Sequence, residues 1–193
     1  MAQSLNGYIS GPEGKRVLLS SIEDRKRVME MRRNVDAILV GRNTVMTDNP
    51  DLLVENNPDT IRIAIDPSLK IYGKGFKITD NSRTTIVINE VMDLKEGLTT
   101  YMKVGKPLSL RDAMNKIYNA GVRKILVEGG KDTAERFLRE KLVDEMYLFV
   151  SNTILPEGGI RMPSVSREIR NAVVGITVIN GGVLMKINPG EWV

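Results

Sequence analysis

The chain has no cysteine and no histidine among its 193 residues. Without cysteine there is no disulfide, no thiol nucleophile and no thiolate metal site. Without histidine there is no Ser-His-Asp triad and none of the usual zinc or iron ligand sets, so no metal centre is expected. Aromatic residues are only 5% of the chain, too few for a base-stacking surface. Lysines and arginines are interspersed with acids, leaving a net charge of +4, and no nucleic-acid partner is expected. No apolar run reaches the length of a membrane span. The opening Met-Ala-Gln-Ser-Leu-Asn-Gly lacks the basic and apolar regions of a signal peptide, so no membrane partner and a cytoplasmic location are expected. Chemistry is left to carboxylates, lysines, hydroxyls, backbone dipoles or a diffusible cofactor. Hydride transfer from a nicotinamide meets that condition, because the cofactor carries the hard chemistry.

What is present is enough for a core. Apolar residues make up 41% and charged residues 27%, ordinary globular shares. Short β-branched runs at Ala37–Val40, Ile61–Ile65, Thr84–Ile88, Lys124–Val127, Met146–Val150, Val173–Ile179 and Val183–Ile187 read as strands. Ser21–Arg33 reads as a helix, with a serine cap, Glu23 and Asp24 in its first turn and Arg32 and Arg33 at its end, matching the macrodipole. Ser109–Asn119, closed by Gly121, and Lys131–Lys141 are two further helices. Asn180-Gly181-Gly182 splits the last two strands into a hairpin. Strand–helix units followed by antiparallel strands imply an α/β fold with a mixed sheet flanked by helices. Asn56–Asp59 and Ile71–Ser82 read as loops rather than boundaries, so one domain over residues 1–193 is expected.

Three places carry candidate chemistry. Ser4-Leu5-Asn6-Gly7 follows a very short first strand and is otherwise a plain Asn-Gly turn. At Asp36 to Pro50, a buried strand enters a turn at Gly41 and then about two helical turns. Thr44 and Asp48 are four apart and share a helix face, a pairing that suits an amide or a ribose; the alternative is that Asp48 caps or salt-bridges locally. At Ile125-Leu126-Val127-Glu128-Gly129-Gly130-Lys131-Asp132-Thr133, an apolar strand runs into an acid, two glycines and a helix. Free backbone N–H groups and a positive helix end there suit an anion, although a tight turn without ligand has the same sequence. Neither the dinucleotide fingerprint nor the P-loop spacing is present. Arg32 is either a bidentate phosphate ligand or dipole compensation at a helix end.

In order, Ser4-Leu-Asn-Gly, Asp36-Ala-Ile-Leu-Val-Gly-x-x-Thr-x-x-x-Asp-x-Pro, Leu126-Val-Glu-Gly-Gly and Leu142-Val-Asp-Glu resemble the riboflavin-biosynthesis reductases of the RibD C-terminal family. The resemblance implies a dihydrofolate-reductase-like fold and NADPH-dependent reduction of a ribosylaminopyrimidine 5′-phosphate to its ribitylamino counterpart. The absence of His-x-Glu and Pro-Cys-x-x-Cys deaminase motifs is similar to the free-standing archaeal or fungal type. That type acts on 2,5-diamino-6-ribosylamino-4(3H)-pyrimidinone 5′-phosphate, a phosphorylated small molecule, and is usually a homodimer. By resemblance, Gln3, Thr44 and Asp48 fall on the nicotinamide side of the cofactor. Gly129, Gly130, Lys131, Asp132 and Thr133, on towards Arg136, fall on the turn and helix that hold its phosphates. Arg32, Leu52 and Glu128 fall on substrate-contacting positions. A ribosylamine opens to an imine whose C1′ accepts hydride, so the protein must supply alignment and a field favouring the cation, a part assigned to Asp48.

The chain departs from the family pattern in three places. Asn6 stands where the family usually has Asp, Glu55 stands where an Arg usually assists phosphate binding, and the first strand is shorter. Arg16, Arg32 and Arg42 are the cations available to offset Glu55. Preference for NADPH over NADH requires a cation near the ribose 2′-phosphate, and several lysines and arginines qualify.

Overall fold

The computed structural model describes residues 1–164 and 172–189. The chain divides into two compact units, one of Met1–Val28 with Ala134–Val193 and one of Met29–Thr133.

In the first unit, β1 (Ala2–Gln3) runs parallel to β9 (Met146–Ser151). β12 (Gly182–Ile187) lies antiparallel to β9, and β11 (Val173–Ile179) antiparallel to β12, giving the order β1-β9-β12-β11. The expected terminal hairpin is β11–β12, turned at Gly181, whose φ of 84° needs a residue without a side chain. A separate ribbon pairs β2 (Tyr8–Pro12) with β10 (Gly159–Arg161). Tyr8, Leu19 and Leu155 form a small apolar cluster here.

The second unit is built on a six-stranded sheet in the order β6-β7-β5-β4-β3-β8. Its strands are β3 (Ala37–Gly41), β4 (Ile61–Ile65), β5 (Thr85–Asn89), β6 (Leu94–Glu96), β7 (Thr99–Lys103) and β8 (Ile125–Val127). All neighbours are parallel except the β6–β7 hairpin. Every residue of β3 is buried, the pattern of a central parallel strand covered on both faces. Ile38, Val40, Val45, Leu52, Val54, Ala64, Ile71, Ile78, Val87 and Tyr101 form its main core cluster. Ile71 and Ile78 are fully buried, so the segment expected to be a polar loop is anchored in the core by two isoleucines.

Helix α1 (Ile22–Arg33) opens with the Ser21 hydroxyl accepting the Asp24 amide at 3.1 Å, the cap its sequence predicted. Helix α2 (Arg42–Asp48) follows β3 directly and ends at Asn49 in the left-handed region. In α3 (Leu110–Asn119), the Ser109 hydroxyl accepts the Asp112 amide at 3.2 Å. Helix α4 (Lys131–Arg139) stops two residues short of the expected Lys141, which sits at φ 56° and ends the turn. Among the described residues, no helix is long and apolar enough to cross a membrane.

Candidate active site

The strands β8, β3 and β4 end side by side, with Leu39 opposite Val127 and Gly41 opposite Ile65. Three loops therefore leave the carboxyl edge of one sheet together, where open α/β sheets bind ligands. The Glu128 amide still donates to the Leu39 carbonyl at 2.8 Å, which fixes the Glu128 side chain at the edge before the chain turns through Gly129 and Gly130 into α4.

The glycines of this edge do two different jobs. A Cβ on Gly41 would lie 2.2 Å from the Thr133 hydroxyl oxygen, and one on Gly129 would lie 2.6 Å from the Thr133 Cβ. Thr133, in the first turn of α4, is thus wedged against the ends of β3 and β8. Both glycines are there to admit it. Gly130 is different: a Cβ there would meet only the Thr44 hydroxyl oxygen, at an ordinary 3.7 Å. The surroundings of Gly130 leave space for a ligand, and its packing does not require a glycine.

Two polar links tie α2 to the turn. The Gly130 amide donates to the Thr44 hydroxyl at 3.3 Å, and the Asn43 amide group donates to Asp132 at 3.3 Å. Thr44 therefore holds the glycine turn in place as well as facing the edge. Asp48, one helical turn further on, is exposed and makes no hydrogen bond or ion pair among the described residues. Local capping or salt-bridging does not account for it.

Arg32 and Glu128, both expected at the substrate, meet each other. Nε of Arg32 donates to one carboxylate oxygen at 2.7 Å and Nη2 to the other at 2.5 Å, a bidentate pair between side chains about four-fifths buried. The hydrogen bond to Glu128 raises the Arg32 pKa above its ordinary value against the opposing effect of burial, with further attraction from Glu128 and Asp51. The guanidinium remains charged and its fork is filled by a carboxylate. Neither helix-dipole compensation alone nor a free phosphate fork describes it.

Leu52 is 3% exposed and packs in the main core cluster, so only its backbone is available to a ligand. That backbone is unusual, with φ 53°, and is held by the Leu53 amide on the Asp51 carboxylate and by Arg62 on the Asp51 carbonyl. Lys131 opens α4, and Gln3 ends β1 in the first unit, half-buried.

Two departures from the family pattern find local explanations. Asn6 accepts the Leu155 amide at 3.1 Å and donates to the Leu155 carbonyl at 2.8 Å. An Asp in that place has no donor for the carbonyl, so Asn suits this turn. Glu55 lies 3.8 Å from Arg33, at the surface; none of Arg16, Arg32 and Arg42 serves as its partner.

One cluster at the same edge was absent from the sequence expectations. Arg42, the first residue after β3, donates from Nη1 to the Ser68 hydroxyl at 2.9 Å and lies 3.6 Å from Oδ1 of Asp66. Asp66 is fully buried at the end of β4; its Oδ2 accepts the Ile71 amide at 2.8 Å, while Oδ1 has no hydrogen-bond partner. The signal was in the sequence, since Ile61–Ile65 runs into Asp66 as Ile125–Val127 runs into Glu128.

Comparison with known proteins gives this edge a setting. A family model described as the RibD C-terminal domain matches residues 1–184. The riboflavin biosynthesis protein RibD of Aquifex aeolicus is 30% identical over 186 residues, covering 90% of this chain and 52% of that protein. This chain therefore spans about half the length of that relative. The 2,5-diamino-6-ribosylamino-4(3H)-pyrimidinone 5′-phosphate reductase of Archaeoglobus fulgidus is 26% identical, covering 86% of this chain and 83% of its own. Among solved structures, a Thermotoga maritima diaminohydroxyphosphoribosylaminopyrimidine deaminase/5-amino-6-(5-phosphoribosylamino)uracil reductase superposes with a TM-score of 0.78 at 24% identity, over 97% of this chain and 54% of that one. Enterococcus faecalis dihydrofolate reductase, complexed with NADP(H), superposes with a TM-score of 0.52 at 18% identity, over 98% of this chain and 94% of its own. The fold is the dihydrofolate-reductase-like α/β fold expected from the sequence.

Proposed function

The chain belongs to the RibD C-terminal domain family, and we propose that it is an NADPH-dependent reductase of 2,5-diamino-6-ribosylamino-4(3H)-pyrimidinone 5′-phosphate. The observation that carries the proposal is the carboxyl edge of β8, β3 and β4. It combines an open glycine turn at a helix start, an unpaired carboxylate at Asp48 and a fixed carboxylate at Glu128. Relatives named for this reductase activity come from Archaeoglobus fulgidus, Methanothermobacter thermautotrophicus and Saccharomyces cerevisiae.

The residues present fit the cofactor. A Cβ on Gly130 would project into open space, and α4 begins at Lys131, so the backbone amides of its first turn face outward for a pyrophosphate. Lys131 and Asp132 flank that turn, with Asp132 held by Asn43 and Thr133 holding the helix down through Gly41 and Gly129. When bound, NADPH supplies the hydride delivered to C1′ of the ribosyl group.

The chain's own part is positioning and charge. Arg32 occupies one hydrogen-bonding site on each Glu128 oxygen, and the remaining lone pairs accept from N–H donors of the pyrimidine. Arg32 also sets the Glu128 carboxylate plane. Asp48 places a negative charge on the α2 face that carries Thr44, where it favours the positive charge developing at C1′. Gln3, and Leu52 through its backbone, complete the assignment on the strength of the resemblance. Assembly as a homodimer and a cytoplasmic location belong to the same proposal.

The test is NADPH oxidation by the purified protein, supplied in parallel with the ribosylaminopyrimidine phosphate and with dihydrofolate. Oxidation with the pyrimidine alone is expected. Oxidation with dihydrofolate alone contradicts the substrate assignment, and no oxidation with either contradicts the enzyme assignment.

A further inference from the structure

The Arg42 cluster has no part in the assignments above, and its composition is specific. β3 and β4 are hydrogen-bonded neighbours, so Arg42 and the Asp66–Ser68 loop leave the sheet side by side. A guanidinium has five donors, and here only Nη1 is engaged, by Ser68. Nε and Nη2 make no hydrogen bond among the described residues, and the side chain is 26% exposed. Behind it lies Asp66, fully buried, with Oδ1 unpartnered and 3.6 Å from Nη1. That distance is too long for a hydrogen bond but short enough for strong attraction at a buried site. Asp66 thus holds Arg42 by charge while leaving its fork open.

Resting on the reductase reading, we propose that Arg42 and Ser68, backed by Asp66, receive the 2′-phosphate of the cofactor's ribose and set the preference for NADPH over NADH. A bare ribose diol is recognised by an accessible carboxylate that accepts its hydroxyls, whereas an arginine accommodates a 2′-phosphate. The only carboxylate in this cluster is sealed beneath the arginine, which leaves donors facing outward. The position fits a dinucleotide. The glycine turn follows β8 and the Arg42 cluster lies at β3 and β4, one to two strand spacings away, about 5–10 Å. That is within reach of one nucleoside from its 5′-phosphate. The family motif leaves the two residues after Gly41 open, so Arg42 is a choice of this chain rather than part of the signature.

A phosphate monoester also occurs on the pyrimidine substrate, and the experiment separates the two sources. Affinities of wild type, Arg42→Ala, Arg42→Lys and Ser68→Ala are measured by calorimetry for 2′,5′-ADP, 5′-AMP, NADPH and NADH, with KM for the pyrimidine phosphate alongside. Wild type is expected to bind 2′,5′-ADP and NADPH more tightly than 5′-AMP and NADH. Arg42→Ala is expected to cut that ratio about ten- to a hundredfold while leaving NADH affinity in place. Ser68→Ala, which keeps the Arg42–Asp66 pair, is expected to lower the ratio less, and Arg42→Lys to retain part of it. Should Arg42→Ala destabilise the fold by stranding Asp66, Ser68→Ala and Arg42→Lys still carry the test. An unchanged ratio in all three variants overturns the proposal. So does a rise in the pyrimidine KM with the ratio intact, which assigns the cluster to the substrate phosphate. Wild type that binds 2′,5′-ADP but does not reduce the pyrimidine keeps this subsite and overturns the reductase reading; wild type that binds no dinucleotide overturns both.

Discussion

The two edges of the six-stranded sheet treat their polar groups in opposite ways. At the amino edge, Arg62 of β4 is fully buried with all three nitrogens committed. Nε donates to Thr85 at 3.0 Å, Nη1 to the carbonyls of Asp51 and Lys77, and Nη2 to Asp80 at 2.9 Å and the Arg83 carbonyl. Asp36, just ahead of β3, accepts the amides of Arg123 and Lys124 at 2.7 and 2.8 Å, which lowers its pKa. At the carboxyl edge, Arg42 keeps unused donors, Asp66 an unused oxygen, Asp48 a free carboxylate and Gly130 open space. One edge closes on itself and stabilises the fold. The other leaves hydrogen-bonding capacity for something outside the chain.

If that contrast is real, damage at the amino edge affects stability and spares binding. Arg62→Met leaves three carbonyls and Asp80 without their donor, and is expected to cost about 3–5 kcal/mol in urea unfolding. The dinucleotide affinity of the folded fraction should match wild type. A stable variant with lost affinity would erase the distinction between the edges.

Gly41→Ala tests the division of labour among the glycines. Gly41 has φ −83°, so alanine is tolerated by the backbone, but its Cβ would meet the Thr133 hydroxyl. Overpacking should cost about 1–3 kcal/mol. Combining it with Thr133→Ala, which removes that hydroxyl, should recover most of the loss, as a coupled pair does in a double-mutant cycle. Additive losses would mean that Thr133 is not the wedge described here.

The smallest expected effect is the pH response of the amino edge. Burial pushes the Asp80 pKa up, but hydrogen bonds from the Ser82 amide and hydroxyl and from Arg62 outweigh it and hold the carboxyl at about 2, against an ordinary 3.8. A depressed carboxyl contributes stability that is present above the unfolded value and lost as pH falls. The urea midpoint should therefore decline between about pH 4 and pH 2, and Asp80→Asn should flatten that decline. An unchanged slope in the variant would remove Asp80 from the account.

Legibility in the sequence followed the range of the interactions. Helices α1 and α3 carried their serine caps and charge pattern locally, and the β11–β12 hairpin carried its Asn-Gly turn. β2 was hidden by Gly11 and Pro12, and β6 by its Lys and Glu, since an edge strand needs no apolar face to pair. At the site, the Glu128-Gly129-Gly130 turn and the Thr44–Asp48 face were visible from spacing. The Arg32–Glu128 pair joins residues 96 apart, which no local pattern announces. The burial of Leu52 and the wedge at Thr133 likewise depend on packing between segments distant in the chain. Arg42, Asp66 and Ser68 were missed for another reason: each is unremarkable until parallel pairing of β3 and β4 brings them together.

The central claim is that the open glycine turn at the carboxyl edge receives the cofactor, and Gly130→Val tests it most directly. The variant adds a branched side chain where only Thr44 stands nearby, so stability should fall by no more than about 1 kcal/mol, the scale of a changed helix cap. NADPH affinity, measured by calorimetry on the same preparation, should fall at least about tenfold, a loss of about 1.4 kcal/mol. A stably folded Gly130→Val protein that binds NADPH as wild type does would contradict the account.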